Sequence, residues 1–180
     1  SLGGYPSPNL QVSQRFHDDP RAEIDDVLMG IAVARYGAAA APQARQAWAA
    51  FSRAFEQFPY NGSVMYNAPQ QVGPANLLYA KKTGYRATMV GIPYDHLEGW
   101  RGGYPAKVFV DQFTKVAQGW DAGLLAMQHV VDRAGAEQRK VAELDLGVAR
   151  AARLHFASVA NQARFIMARD ALAAGDADDQ

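Results

Sequence analysis

The reactive side chains of this sequence gather in one short stretch. Gly91-Ile92-Pro93-Tyr94-Asp95-His96-Leu97-Glu98-Gly99-Trp100-Arg101-Gly102-Gly103-Tyr104 sets Asp95, His96, Glu98 and Arg101 among three aromatic rings. Aromatic faces cover the apolar C–H side of a sugar ring, while carboxylates and a guanidinium take its hydroxyls. Tyr94, Asp95, Glu98, Trp100 and Arg101 are therefore the candidate saccharide contacts. The same residues have a plainer use. Trp100 and the tyrosines can pin a long loop to a scaffold, with Arg101 paired to Asp95 or Glu98. Asp95 and Glu98 also qualify as an acid/base pair, because a glycosidase sets two carboxyls about 5–10 Å apart. Three residues of separation allow that here, as in many chains.

A second segment, Tyr66-Asn67-Ala68-Pro69-Gln70-Gln71-Val72-Gly73-Pro74-Ala75-Asn76, carries amides and no charge. Amides offer donors and acceptors together, which suits neutral hydroxylated ligands. Asn67, Gln70 and Asn76 form the second rank of candidate contacts. Those amides can equally tie an irregular backbone to itself.

Other chemistries lack their residues. The four histidines, His17, His96, His129 and His155, show no His-x-x-x-His spacing. Zinc sites need more nitrogen or sulfur ligands than Asp95 and Glu98 beside His96 would supply. No metal and no cofactor is expected. Without cysteine there is no thiolate nucleophile and no disulfide. Gly99 to Gly103 lacks the lysine and following Ser or Thr of a phosphate-cradling loop. No Gly-x-Ser-x-Gly elbow occurs. Lys81-Lys82 reads as a solvated turn.

The elements that must position these residues are helical. Asp18-Asp19-Pro20 has the form of a helix start, with a capping carboxylate and a proline preset for the first turn. Ile24, Val27, Leu28, Ile31 and Val33 follow at mostly helical spacing, and Tyr36-Gly37 closes that helix. Pro42 opens a second. Its apolar face is Ala47, Trp48, Phe51, Phe55 and Phe58, and Pro59 ends it. From Pro105 onward the pattern is helical again. Phe109, Phe113, Val116, Trp120, Leu124, Met127 and Val131 form one stripe, and Gly135 breaks it. From Glu137 to about Ala173 a second long stripe includes Val141, Leu144, Val148, Ala152, His155, Val159, Ala163 and Ile166. At 1.5 Å per residue, ~35 residues extend about 50 Å. Two long helices with a short joint pack antiparallel. His155 on that stripe reads as a hydrogen-bonded core histidine.

Residues 59–104 differ in kind. They hold seven glycines, four prolines, six of the eight tyrosines and only six charged residues. A loop-like region this long is uncommon inside a compact domain. It should be functional, or lean on a neighbouring surface. The fold class is thus mainly α: a helical bundle with a long antiparallel hairpin and an irregular insertion. Within one helical domain, residues 1–20 form an extended lead-in and 21–58 two helices. Residues 59–104 are the irregular region, 105–174 the hairpin and 175–180 a frayed tail.

Composition narrows the partners. The 180 residues are 49% hydrophobic and 20% charged, a globular balance. Eighteen basic and eighteen acidic residues cancel, so the basic excess of a nucleic-acid binder is missing. No apolar run is long enough to span a bilayer. The chain opens Ser1-Leu2-Gly3-Gly4, without Met or a signal-like segment, and is expected to be a piece of a larger protein or a processed chain.

Several segments together resemble one group of proteins. Leu2-Gly3-Gly4-Tyr5-Pro6-Ser7-Pro8-Asn9 is similar to the segment near the last strand of a large bacterial glycoside-hydrolase-like barrel. Tyr36-Gly37 to Trp48, Phe51-Ser52 and Phe55 to Pro59 resemble the helical part that follows such barrels. Tyr66-Asn67-Ala68-Pro69, Gly73-Pro74-Ala75-Asn76-Leu77-Leu78 and Trp100-Arg101-Gly102-Gly103-Tyr104-Pro105 are similar to it as well. The resemblance covers residues 2–125. It implies a helical C-terminal accessory domain that braces an upstream TIM barrel of the same polypeptide and lends loop residues to a saccharide site. The catalytic carboxylates would lie in the barrel, so none is assigned here. The alternative is a helical protein-interaction or dimerisation module, in which the hairpin forms a homodimer or docks a protein and the loop is structural.

Overall fold

The computed structural model describes residues 7–178. It is mainly helical, with no strand among the described residues. Helices α1 (Pro8–Asp18), α2 (Ile24–Tyr36) and α3 (Ala41–Phe55) come first. Two short helices follow, α4 (Gly62–Asn67) and α5 (Leu97–Trp100), with single 3-10 turns at Pro69–Gln71 and Gly73–Ala75 between them. Two long helices, α6 (Ala106–Arg133) and α7 (Ala136–Asp178), complete the chain. The contacts divide it into two compact units, one of residues 1–51 and 122–149, the other of 52–121 and 150–180.

The extended lead-in expected at 1–20 is corrected by α1. Ser7 caps it, its hydroxyl accepting from the Asn9 N–H at 3.3 Å, and Pro8 occupies the first turn. A Ser-Pro pair is a helix start, and the neighbouring prolines hide that in a composition reading. The part of the lead-in at residues 1–6 lies outside the described residues. Asp19 does not start a helix either. Its carboxylate accepts from the Arg21 N–H in a local turn, and α2 begins only at Ile24, with Asp25 and Asp26 in its first turn.

In the first unit the core is built largely of alanine. Ala40, Ala41, Ala44 and Ala47 line the buried face of α3 against Ala32 and Tyr36, Met127, Val130 and Val131, and Ala142 and Leu146. Trp48 and Phe51 flank that face, and Phe55 is half exposed rather than inward. Alanine permits close backbone approach, and glycine extends it. A Cβ on Gly123 would collide with the Phe51 ring. One half-buried polar cluster lies in this unit. Arg35 grips Asp145 with two N–H bonds, at 2.6 and 2.8 Å, and the Tyr36 hydroxyl donates to the same carboxylate at 2.6 Å.

The second unit has an aromatic and aliphatic core: Val64, Leu97, Trp100, Phe109, Phe113, Val159 and Ile166, joined by Phe58 and Phe156. Arg153 pairs with Asp121, and Arg164 donates to the Thr114 hydroxyl. A step back along α6 thus matches a step forward along α7. The apolar stripe of α6 is inward at Phe109, Phe113, Val116, Met127 and Val131. That of α7 is inward from Val159 to Ile166, but not at its start. There Ala142, Leu146 and Ala149 are buried in the alanine-rich core and Leu144 is exposed. Helical backbone runs past the expected boundary at 174 to Asp178, and residues 179–180 of the expected tail lie outside the described residues.

Candidate functional site

The irregular region is fastened to α7 in the second unit by a polar line that sequence reasoning did not isolate. His155, Gln162 and Arg169 stand seven residues apart, two helical turns, and so share a face. Each takes a successive part of the loop. His155 Nε2 lies 2.6 Å from the Gln70 carbonyl, and its ring fills the space that a Gly73 side chain would need. The Gln162 amide donates to the Gly73 carbonyl at 3.0 Å and accepts from Asn76 at 2.9 Å. Arg169 donates to the Tyr79 carbonyl at 3.2 Å and to Asp95 at 2.7 Å. His155 is hydrogen-bonded as expected, but it is half-buried at the edge of the loop rather than in the core. For Gln162 and Arg169 the available signal was the seven-residue repeat of polar residues beside Val159, Ala163 and Ile166.

Asp95 is the far anchor. It is 3% exposed and accepts from the Thr83 N–H, the Thr83 hydroxyl and Arg169. Burial works to raise its carboxyl, but the Thr83 and Arg169 hydrogen bonds outweigh burial and hold it below the usual carboxylate range. The residue before it is strained. Tyr94 has φ +52°, a region that residues with a Cβ rarely adopt. Buried neighbours on both sides and the Asn76 amide, which donates to the Tyr94 carbonyl at 2.8 Å, hold it there.

These contacts redistribute the candidate saccharide residues. Trp100 is fully buried, and its indole N–H donates to the Pro93 carbonyl at 2.8 Å, so no face is left for a ligand. Asp95 and Asn76 are buried and spent on the loop itself. All three are corrected to framework residues. Arg101 does not pair with Asp95 or Glu98. It donates to the Tyr104 carbonyl at 2.6 Å, closing the turn after α5. Gln70 donates to the Val64 carbonyl, and Asn67 ends α4. Glu98 is exposed, and Tyr94 is half-buried with its ring against Tyr85, centroids 5.1 Å apart.

What the loop leaves open is a cleft of about 300 Å³ lined by Lys82, Gly84, Tyr85, Arg86, Asp95, His96 and Glu98. His96 Nδ1 accepts from the Ala87 N–H at 3.1 Å, which ties the two sides of the cleft together. Asp95 forms its floor and cannot work with Glu98 as an acid/base pair while bound to Arg169. Among the described residues no three His, Asp or Glu side chains gather as a metal site needs, and no helix is long and apolar enough to cross a membrane.

Beyond the cleft, residues 77–92 form an irregular arm. Leu77, Leu78, Tyr85, Met89, Val90 and Ile92 are exposed on it, Val90 at 90%. Its ends are the two anchors, Asn76 on Gln162 and Asp95 on Arg169. Comparison with family models, with curated proteins and with solved structures finds no match to this chain.

Proposed function

We propose that this chain is the helical accessory module of a bacterial glycoside-hydrolase-like protein, and that it serves that protein by docking rather than by catalysis. The parent is what the resemblance over residues 2–125 suggests. The docking role is carried by one observation: six large apolar side chains stand in water on the 77–92 arm while both ends of the arm are fixed to α7. Contiguous exposed apolar surface marks interaction sites. An arm already held in place loses little freedom on docking. Its occupant is the adjoining barrel of the same polypeptide. The cleft beside the arm, with Glu98 at its rim and Tyr94 behind Tyr85, is where the module would add contacts to a saccharide held by that barrel.

Amide hydrogen exchange tests this. Residues 77–92 should exchange quickly in the isolated 180 residues and about tenfold more slowly in the longer polypeptide that includes the barrel. Equal exchange in the two, or a gene with no barrel upstream, would remove the proposal.

A second reading has its own observation. Leu154 and Leu172 on α7, both in the second unit, are each more than half exposed. A module that dimerises through its long helices would cover them. Light scattering showing a tight dimer, with the 77–92 arm still exchanging freely, would favour that reading.

A further inference from the structure

The first unit contains a groove that the docking arm does not explain. It lies between α1 and α2, has a volume of about 750 Å³ and is open along one side. Its floor is Val27, Gly30, Ile31 and Ala34 of α2. These positions are i, i+3, i+4 and i+7, one continuous helical stripe. Leu10 of α1 forms the facing wall and is 69% exposed. No residue of α1 is buried. An eleven-residue helix has too little stability of its own to persist in water without packing. Both helices therefore present apolar surface that their own unit does not cover.

The rim has a sign. Asp18, Glu23 and Asp26 border the groove, all exposed, against a single cation, Arg15. Arg15 already faces Asp19 at 3.6 Å. A second copy seated groove to groove would set the same carboxylates against each other, which disfavours it. The floor has its own shape. Gly30 and Ala34 are small, and a Cβ built on Gly30 meets nothing within 4 Å, so a partner backbone can approach α2 closely there.

We propose that the α1–α2 groove is a docking site for an amphipathic helix of another protein, one whose apolar face enters the groove and whose flanks carry Lys or Arg. Helix-in-groove recognition uses matched i, i+3, i+4, i+7 stripes, and the acidic rim selects the basic flanks. The site is separate from the 77–92 arm and stands whether or not that arm docks a barrel.

The test uses two designed helical peptides of about 18 residues with the same leucine face, one flanked by lysine and the other by glutamate. Fluorescence anisotropy with the full chain should show saturable one-to-one binding of the lysine peptide only, weakening as salt rises. Gly30→Leu puts a side chain into the groove, and its Cβ meets nothing within 4 Å. It should keep or raise the melting temperature and lower affinity by about tenfold or more. Glu23→Lys with Asp26→Lys, both on the exposed rim, should reverse the preference toward the glutamate peptide. The proposal is overturned by no binding, by equal binding of both peptides, or by binding that Gly30→Leu leaves intact. It is also overturned by a dimer that Gly30→Leu dissolves, because the occupant would then be a second copy.

Discussion

Two carboxylates, buried Asp95 and half-buried Asp145, answer their surroundings in opposite ways. At Asp95 the hydrogen bonds outweigh burial and the folded carboxyl titrates below its ordinary value of 3.8. Its stabilisation is therefore full above about pH 4 and is lost as pH falls through the lower folded value. Urea midpoints followed by Trp100 fluorescence should show the advantage of the wild type over Asp95→Asn shrinking below about pH 4. An advantage that stays constant into acid would contradict the assignment. At Asp145 burial pushes the carboxyl up to about 7, against the pull of Arg35 and Tyr36. A folded value above the unfolded one gives stabilisation that is full below about pH 4 and lost as pH rises through about 7. Trp48 packs 6.1 Å from Tyr36 and reports on this unit. Its unfolding midpoint should decline between about pH 4 and 7 and level off above that, and Asp145→Asn should flatten that slope. A midpoint that climbs would mean that the Arg35 attraction prevails. The Asp95 partner is just as exposed to test. Arg169→Met leaves a buried carboxylate unpaired and should cost about 3–5 kcal/mol, with exchange rising first in residues 77–95.

Among the elements, glycine marks both where a helix touches its neighbour and where it faces water. Gly119 of α6 faces Ala54, and a Cβ there would sit 2.9 Å from the alanine methyl. Gly147 of α7 has nothing within 4 Å. The same change to alanine should therefore have opposite signs. Gly119→Ala should cost about 1–3 kcal/mol through overpacking, while Gly147→Ala should gain about 0.5–1 kcal/mol from helix propensity. Thermal melts of the two variants decide it. This is also the scale at which the sequence was most readable. Regular four-three spacing of large residues marked α6 at Phe109, Phe113 and Val116, and its break at Gly135 marked the joint. Where alanine does the packing, the pattern loses contrast. Leu144 was read as inward on the stripe Val141, Leu144 and Val148, yet Ala142 and Leu146 face the core. The short α1 was hidden because Ser7-Pro8 sits in a proline-rich stretch where a cap and a turn look alike.

For the whole molecule, the loop chemistry was legible in its composition but not in its direction. Periodicity cannot say that Trp100 and Asp95 turn inward, because their partners, Pro93, Thr83 and Arg169, belong to no regular pattern shared with them. What survives of the saccharide reading is the rim of one cleft and the strained Tyr94 behind it. The purified chain should show no turnover on a broad panel of glycosides, and robust hydrolysis would overturn the accessory role. Replacing Tyr85, Met89 and Val90 together by serine should leave the melting temperature nearly unchanged, since exposed positions contribute within about 0.5 kcal/mol each. The exchange protection expected of the arm in the longer polypeptide should vanish in the same variant.

The seven-residue interval between His155, Gln162 and Arg169 makes α7 a graduated ruler. A single inserted residue between two of the marks would swing the next one by about 100° and unhook its share of the backbone. The exposed apolar side chains of the arm are free to drift, so long as the graduations, the carbonyls they catch and the Thr83 that holds Asp95 keep their places.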